Sequence, residues 1–170
     1  MGLLSLLVQE MIKYEKGVPQ RAGHFLKVYG YAKSIGELEN LPEDVQLILE
    51  TAAIVHDIGI KPSLQKYGSS AGSYQEREGG PAAREMLVRL GFSAEVTDRV
   101  AYLVGHHHTY SNVDGLDYQI LLEADFLVNM LESEMAREEI CSAYDKVFRT
   151  LSGKRFCALL YLSDETGAQP

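Results

Sequence analysis

Apolar residues recur at helical spacing from one end of this 170-residue chain to the other, and that periodicity restricts the fold more than any other feature. Leu3, Leu4, Leu7, Met11 and Ile12 fall on one helical face, and Gly17 with Pro19 ends that run. A second helix is expected from about Gln20 to Glu39, with Phe25, Val28, Tyr29, Ala32 and Ile35 inward. A third carries Val45, Ile48, Leu49, Ala52 and Val55, stops near Asp57 and has Gly59 as a candidate C-terminal cap. The Gly- and Ser-rich stretch Ile60 to Ser73 reads as a loop. Tyr74 to Leu90 is helical, and Gly79-Gly80-Pro81 either kinks it or starts a new helix at Pro81. Ser93 can cap a helix with Val96, Val100, Leu103 and His107 on one stripe. After a loop at Ser111 to Gly115, helices follow at Asp117 to about Leu131 and about Arg137 to Leu151. The periodicity leaves Phe156 to Leu162 without an assigned state. No segment has the alternation of a strand, so the expected class is all-α, a compact array of about six or seven helices.

Composition fixes the broad class. The chain is 46% hydrophobic and 24% charged, the balance of a globular protein with a core of its own. Its length suits one domain, and no internal repeat or linker divides residues 1–170. No apolar run approaches the roughly 18 residues of a membrane span. The apolar start lacks a basic segment and a small-residue cleavage site, so it reads as a first helix. Lys and Arg number 16 against 24 Asp and Glu, a formal charge of -8. Such a chain is a poor partner for long nucleic acid, although a bound divalent cation would invert the field locally for a small anion. Cys141 and Cys157 form no CxxC pair. They make no disulfide framework or thiolate zinc site, and a reducing cytoplasm is the expected compartment.

The chemistry gathers on five histidines, His24, His56, His106, His107 and His108, all inside or at the end of an expected helix. His24 shares a face with Val28, Tyr31 and Ile35, and His56 ends the stripe of Val45, Ile48, Leu49 and Ala52. One imidazole on an apolar face is most simply a hydrogen-bonded core residue. Several on different helices of one domain can converge on a metal. Asp125 lies in Leu121-Leu-Glu-Ala-Asp125-Phe-Leu-Val128, where an unpaired carboxylate would cost several kcal/mol. It calls for a cation, a metal or an edge position. His56-Asp57 stands at a helix end, where the backbone can bend enough for neighbouring side chains to reach one ion. Imidazole with carboxylate suits Mn²⁺, Fe²⁺, Co²⁺, Ni²⁺ or Zn²⁺, and Mg²⁺ less well.

The stretch Ile54-Val55-His56-Asp57-Ile58-Gly59, with His24 lying 32 residues before the doublet and Asp125 68 residues after it, resembles the signature of the HD-domain metal-dependent phosphohydrolase superfamily. The resemblance is strongest over residues 20–130, leaving 134–170 as a C-terminal helix and tail. It implies a single HD domain that holds a divalent ion on His24, His56, Asp57 and Asp125. Asp57, His106 and His107 are the catalytic candidates, either orienting the nucleophile or protonating the leaving group. Many members hold a second ion through a His on the helix after the doublet and a later His-His pair. Here Gln75 stands in that first place, so Glu78, one turn along, is the candidate oxygen ligand beside His106 and His107. His108 reads as a flanking residue. Arg21 and Lys61, with Lys66 and Arg84 behind them, are the candidate phosphate contacts. Lys61 falls one position later than the Lys that follows the doublet in many relatives.

The expected activity is therefore hydrolysis of a nucleotide or another small phosphoester. Two alternatives stand beside it: a di-iron oxygenase of the same fold, which needs the full two-metal ligand set, and a non-catalytic metal-binding regulatory module. The apolar first helix and the Phe156 to Leu162 run could each cover a partner, which leaves a homodimer open.

Overall fold

The structure, a computed structural model, describes residues 2–163. Among them are nine α-helices and a terminal π-helical turn, and no strand. The all-α class expected from periodicity is what the chain adopts. In order these are α1 (Leu3–Tyr14), α2 (Pro19–Leu38), α3 (Glu43–Val55), α4 (Ile60–Tyr67), α5 (Gly72–Leu90), α6 (Ala94–Val104), α7 (Leu116–Glu132), α8 (Arg137–Lys146) and α9 (Leu151–Cys157), followed by the π turn Ala158–Leu162. The end of the C-terminal helix and tail expected at 134–170, residues 164–170, lies outside the described residues.

Each helix forms for a local reason and is held by the face it buries. Pro19 starts α2 with its φ already helical and its missing N–H costing nothing. Ser93 caps α6 by accepting from Val96 N at 3.3 Å. α3 and α7 form the centre. Eight consecutive residues of α3, Ile48 to Val55, are buried, and α7 buries twelve. α2 packs on both, α6 lies against α3 and α5, and α1 covers α3 and α5 with Leu7 and Met11. The His-bearing ends of α3 and α6, the first half of α2 and the middle of α7 are thereby brought to one side of the core.

The structure departs from the sequence reading at three places. The expected loop Ile60–Ser73 contains α4, which Gly68 ends in the left-handed conformation at φ 65°. α5 runs unbroken through Pro81. Glycines let its neighbours come close here, since a Cβ on Gly79 would stand 2.8 Å from Val104 Cγ1 and one on Gly80 3.0 Å from Ala101 O. Lastly, the helix expected to reach Leu151 stops at Lys146. Buried Glu123 causes that break. It accepts from the backbone N–H of Arg149 at 2.6 Å and of Thr150 at 2.9 Å, amides that a continuing helix would use internally. Thr150 then caps α9 through Gly153 N at 3.0 Å. These extra elements account for the count exceeding the six or seven expected.

Candidate metal centre

Four side chains from three helices meet at one point. His24 comes from the first half of α2, Asp125 from the middle of α7, and His56 and Asp57 from the turn that closes α3. His24 Nε2 lies 3.1 Å from His56 Nε2, 3.4 Å from Asp57 Oδ2 and 3.2 Å from Asp125 Oδ1. His56 Nε2 is 3.5 Å from each of the same two carboxylate oxygens. Donors about 2.1 Å from a common ion stand about 3.0 Å apart at right angles and about 3.4 Å apart at the tetrahedral angle. The three distances from His24 fall in that range, and the two from His56 lie just above it.

The tautomers point the same way. His56 Nδ1 donates to Ala53 O at 2.8 Å, and His107 Nδ1 donates to Val104 O at 2.8 Å. A carbonyl only accepts, so both Nδ1 atoms carry hydrogen and both Nε2 atoms are left as the metal-binding nitrogens. His24 Nδ1 lies 2.7 Å from Glu132 Oε2, with the same consequence. Two imidazole nitrogens 3.1 Å apart need a cation between them, and a proton or a divalent ion answers that need. Burial pushes the His56 imidazole down, yet the Asp57 and Asp125 carboxylates more than offset it and hold it at about 9. Burial raises the Asp57 carboxyl, and the facing histidines reverse this and bring it down to about 2. Asp125 is lowered in the same manner. This donor set is charged and hungry for a cation.

Asp57 faces two ways. Its Oδ1 is 3.5 Å from His107 Nε2, while Oδ2 belongs to the first group. Asp57, His107 and His108 bring ligand atoms within 4.8 Å of one another, forming a second set that shares the same carboxylate. The Nε2 atoms of His107 and His108 are buried with no hydrogen-bond partner, and each such group costs about 1–3 kcal/mol unless something binds it. Burial and the neighbouring His107 push the His108 imidazole down to about 4. That keeps it neutral, as a ligand must be. The turn itself is pinned from two sides. Glu76 accepts from His108 N at 3.1 Å and from Thr109 Oγ1 at 2.8 Å, and the Tyr118 hydroxyl lies 2.6 Å from His106 O and from Thr109 O.

Several expected participants stand elsewhere. His106 stacks on Tyr102 with ring centroids 4.2 Å apart, and its Nδ1 is tied to Tyr102 O at 2.7 Å. It is therefore outside both groups, and His108, expected as a flank, takes the inward place. The helix ends at Gly105, so helical phasing no longer says which histidine turns in. Glu78 binds Lys66 and accepts from the Tyr67 hydroxyl at 2.7 Å, facing α4 rather than the histidines. Lys61 donates to Tyr14 O at 3.0 Å and lies over the Tyr14 ring, which carries it toward α1. Arg84 pairs with Asp98. Arg21 does reach the site.

The site opens into a cleft of about 320 Å³ lined by Arg21, His24, Asp57, Gln75, His108 and Asp125, together with Gln20, Ile60, Asn129 and Glu132. Gln75, expected from the resemblance to stand in a histidine's place, is buried. Its Nε2 donates to Ser70 O at 2.7 Å, which leaves Oε1 without a partner. Asn129 donates to Asp125 Oδ1 at 2.9 Å and steadies it. The sequence reading missed Asn129 and Glu132, although their spacing from Asp125, i+4 and i+7, places all three on one face of α7.

Comparison with known proteins gives one match. A family model described as HD domain matches residues 21–141, most of the chain, including His24, His56, Asp57, His107, His108 and Asp125. No match is found among curated proteins or among solved structures.

Proposed function

The chain belongs to the HD-domain family, a family of metal-dependent hydrolase type, and on that premise we propose that it hydrolyses a small phosphoester, such as a nucleotide, with the help of a divalent ion. The observation that carries this reading is the convergence of His24, His56, Asp57 and Asp125, with the Nε2 atoms of both histidines turned inward by bonds at Nδ1. These four residues would hold the ion. Asp57, His107 and His108 would hold a second, since the Asp57 carboxylate faces both groups. When bound, a divalent ion supplies Lewis acidity, which makes water a nucleophile near neutral pH and neutralises charge on a phosphoryl oxygen.

The chain's own residues supply the rest. Arg21 is the one cationic side chain among those lining the cleft. Buried Glu15 holds one end of its guanidinium at 3.1 Å, so the fork is oriented before a phosphoryl group arrives. Asn129 keeps Asp125 aimed inward, and the Ala53 and Val104 carbonyls fix two imidazole tautomers. Gln75 offers an oxygen without competing nitrogen chemistry. His107, expected as a general acid, has its Nδ1–H committed to Val104 and its Nε2 turned to Asp57, and this suits a ligand better than a proton donor.

The test is turnover of an aryl phosphate and of a nucleotide panel with Mn²⁺ or Ni²⁺. His56→Ala and Asp57→Ala should each lower the rate by about 10³-fold or more, the scale of losing metal chemistry, while His106→Ala should leave it within a few-fold. Inertness toward every phosphoester tried, or iron-dependent oxygen uptake in its place, would overturn the reading.

A further inference from the structure

His24, His56 and His107 each turn Nε2 inward through a bond at Nδ1, and they do so by different means. His56 and His107 each follow the end of a helix, where the last carbonyls have no partner within the helix. Ala53 O and Val104 O are such carbonyls, so these imidazoles are oriented by the chain immediately before them. His24 sits inside α2, whose carbonyls are spent on the helix ladder. It needs an acceptor from elsewhere. That acceptor is Glu132, the last residue of α7 and 108 residues away in sequence, with Oε2 2.7 Å from Nδ1. The other carboxylate oxygen is held at 2.6 Å by Lys27, which stands three residues along α2 from His24. Glu132 also lines the cleft, on the same face of α7 as Asp125 and Asn129.

We propose that Glu132 is the positioning residue of the metal centre: its carboxylate, braced by Lys27, fixes the tautomer and ring direction of His24 so that Nε2 is presented to the ion. The inference rests on the metal-dependent reading above. It adds a residue whose contribution is to affinity for the ion rather than to contact with substrate. A carboxylate behind a ligating imidazole makes that nitrogen a better donor, and removing such a partner typically costs about 10–100-fold in metal affinity. Glu132 is partly exposed and is not among the buried core residues.

Calorimetric titration of the purified chain with Mn²⁺ tests this. Glu132→Ala should bind Mn²⁺ about 10–100-fold more weakly than wild type. Glu132→Gln, whose amide oxygen still accepts from Nδ1–H, should recover most of that loss. Lys27→Ala, an exposed change with little bearing on folding, should fall between wild type and Glu132→Ala and settles the matter should Glu132→Ala fold poorly. Melting in the presence of a chelator should be the same for all four proteins. A Glu132→Ala protein that takes Mn²⁺ as tightly as wild type overturns the inference while leaving the metal reading intact. Glu132→Gln as weak as Glu132→Ala also overturns it, by assigning the effect to charge alone. A wild-type chain that takes up no Mn²⁺ ends both.

Discussion

Gly59 holds the His56–Asp57 turn in place by what it lacks. Its φ is -70°, an ordinary right-handed value, so the left-handed cap expected after α3 is not its role. A Cβ there would stand 2.4 Å from Gln75 O and 2.9 Å from Gly79 Cα, and backbone atoms cannot swing aside as a flexible side chain would. Gly59→Ala should therefore push the turn off α5, costing about 1–3 kcal/mol of stability by urea denaturation and weakening Mn²⁺ uptake. Gly23, beside His24 but with nothing near its missing Cβ, is the contrasting case. Gly23→Ala should raise stability by up to about 1 kcal/mol, as helix propensity dictates. Both glycines look alike in the sequence, since close approach is decided by a segment about twenty residues away. The meeting of His24, His56, Asp57 and Asp125 was legible because a polar group on an apolar stripe demands a partner. Glu132 and Asn129 occupy positions where a polar residue needs no explanation, and only the packing of α7 on α2 gives them one.

At the scale of elements, the segment that bears the inward histidines is held by an ion-pair clamp that no local pattern announces. Arg99 on α6 donates to both oxygens of Asp117, at 2.7 and 2.8 Å, and to both oxygens of Asp114, at 2.8 and 3.0 Å. Asp117 lies in the first turn of α7, so the clamp joins α6 to α7 across the turn carrying His106, His107 and His108. A lysine cannot reproduce the planar fork. Arg99→Lys should cost about 1–2 kcal/mol, the scale of losing two or so charge-assisted bonds net of solvation. The Arg99 hydrogen bonds hold the Asp114 carboxyl below its ordinary value of 3.8. A carboxyl lowered on folding contributes stability in full above its unfolded value and loses it as pH falls through the folded one. The gap in melting temperature between wild type and Arg99→Lys should thus persist above about pH 5 and narrow below about pH 3. A constant gap would show that Asp114 takes no part. α4 was illegible for a related reason. Ile60 to Ser73 has the composition of a loop, and its one buried α4 residue is Ser63, so neither propensity nor an apolar stripe marks it.

For the molecule as a whole, charge would decide which phosphoesters the proposed hydrolase takes. The chain carries a formal -8, and the cleft sets Asp57, Asp125 and Glu132 against the single cation Arg21. One or two divalent ions would bring that lining close to neutral or to a modest positive value. Such a lining can hold one phosphoryl dianion against Arg21. It has no further lysine or arginine for a β- or γ-phosphate, which would lie among carboxylates or against an acidic surface. Like charges at short range repel strongly where water is partly excluded, and the surrounding field slows the approach of a polyanion. Monophosphate esters should therefore be turned over with kcat/KM at least about tenfold above the corresponding triphosphates, the ratio given by about 1.4 kcal/mol of added repulsion. Salt screens repulsion as it screens attraction. Raising ionic strength from about 0.01 to 0.15 M shortens the screening length from about 30 to 8 Å, and should increase kcat/KM for the triphosphate more than for the monophosphate. Steady-state rates measured across that range with a matched pair of substrates check both statements. A triphosphate preference that weakens as salt is added would mean that cations outside the cleft lining reach the substrate.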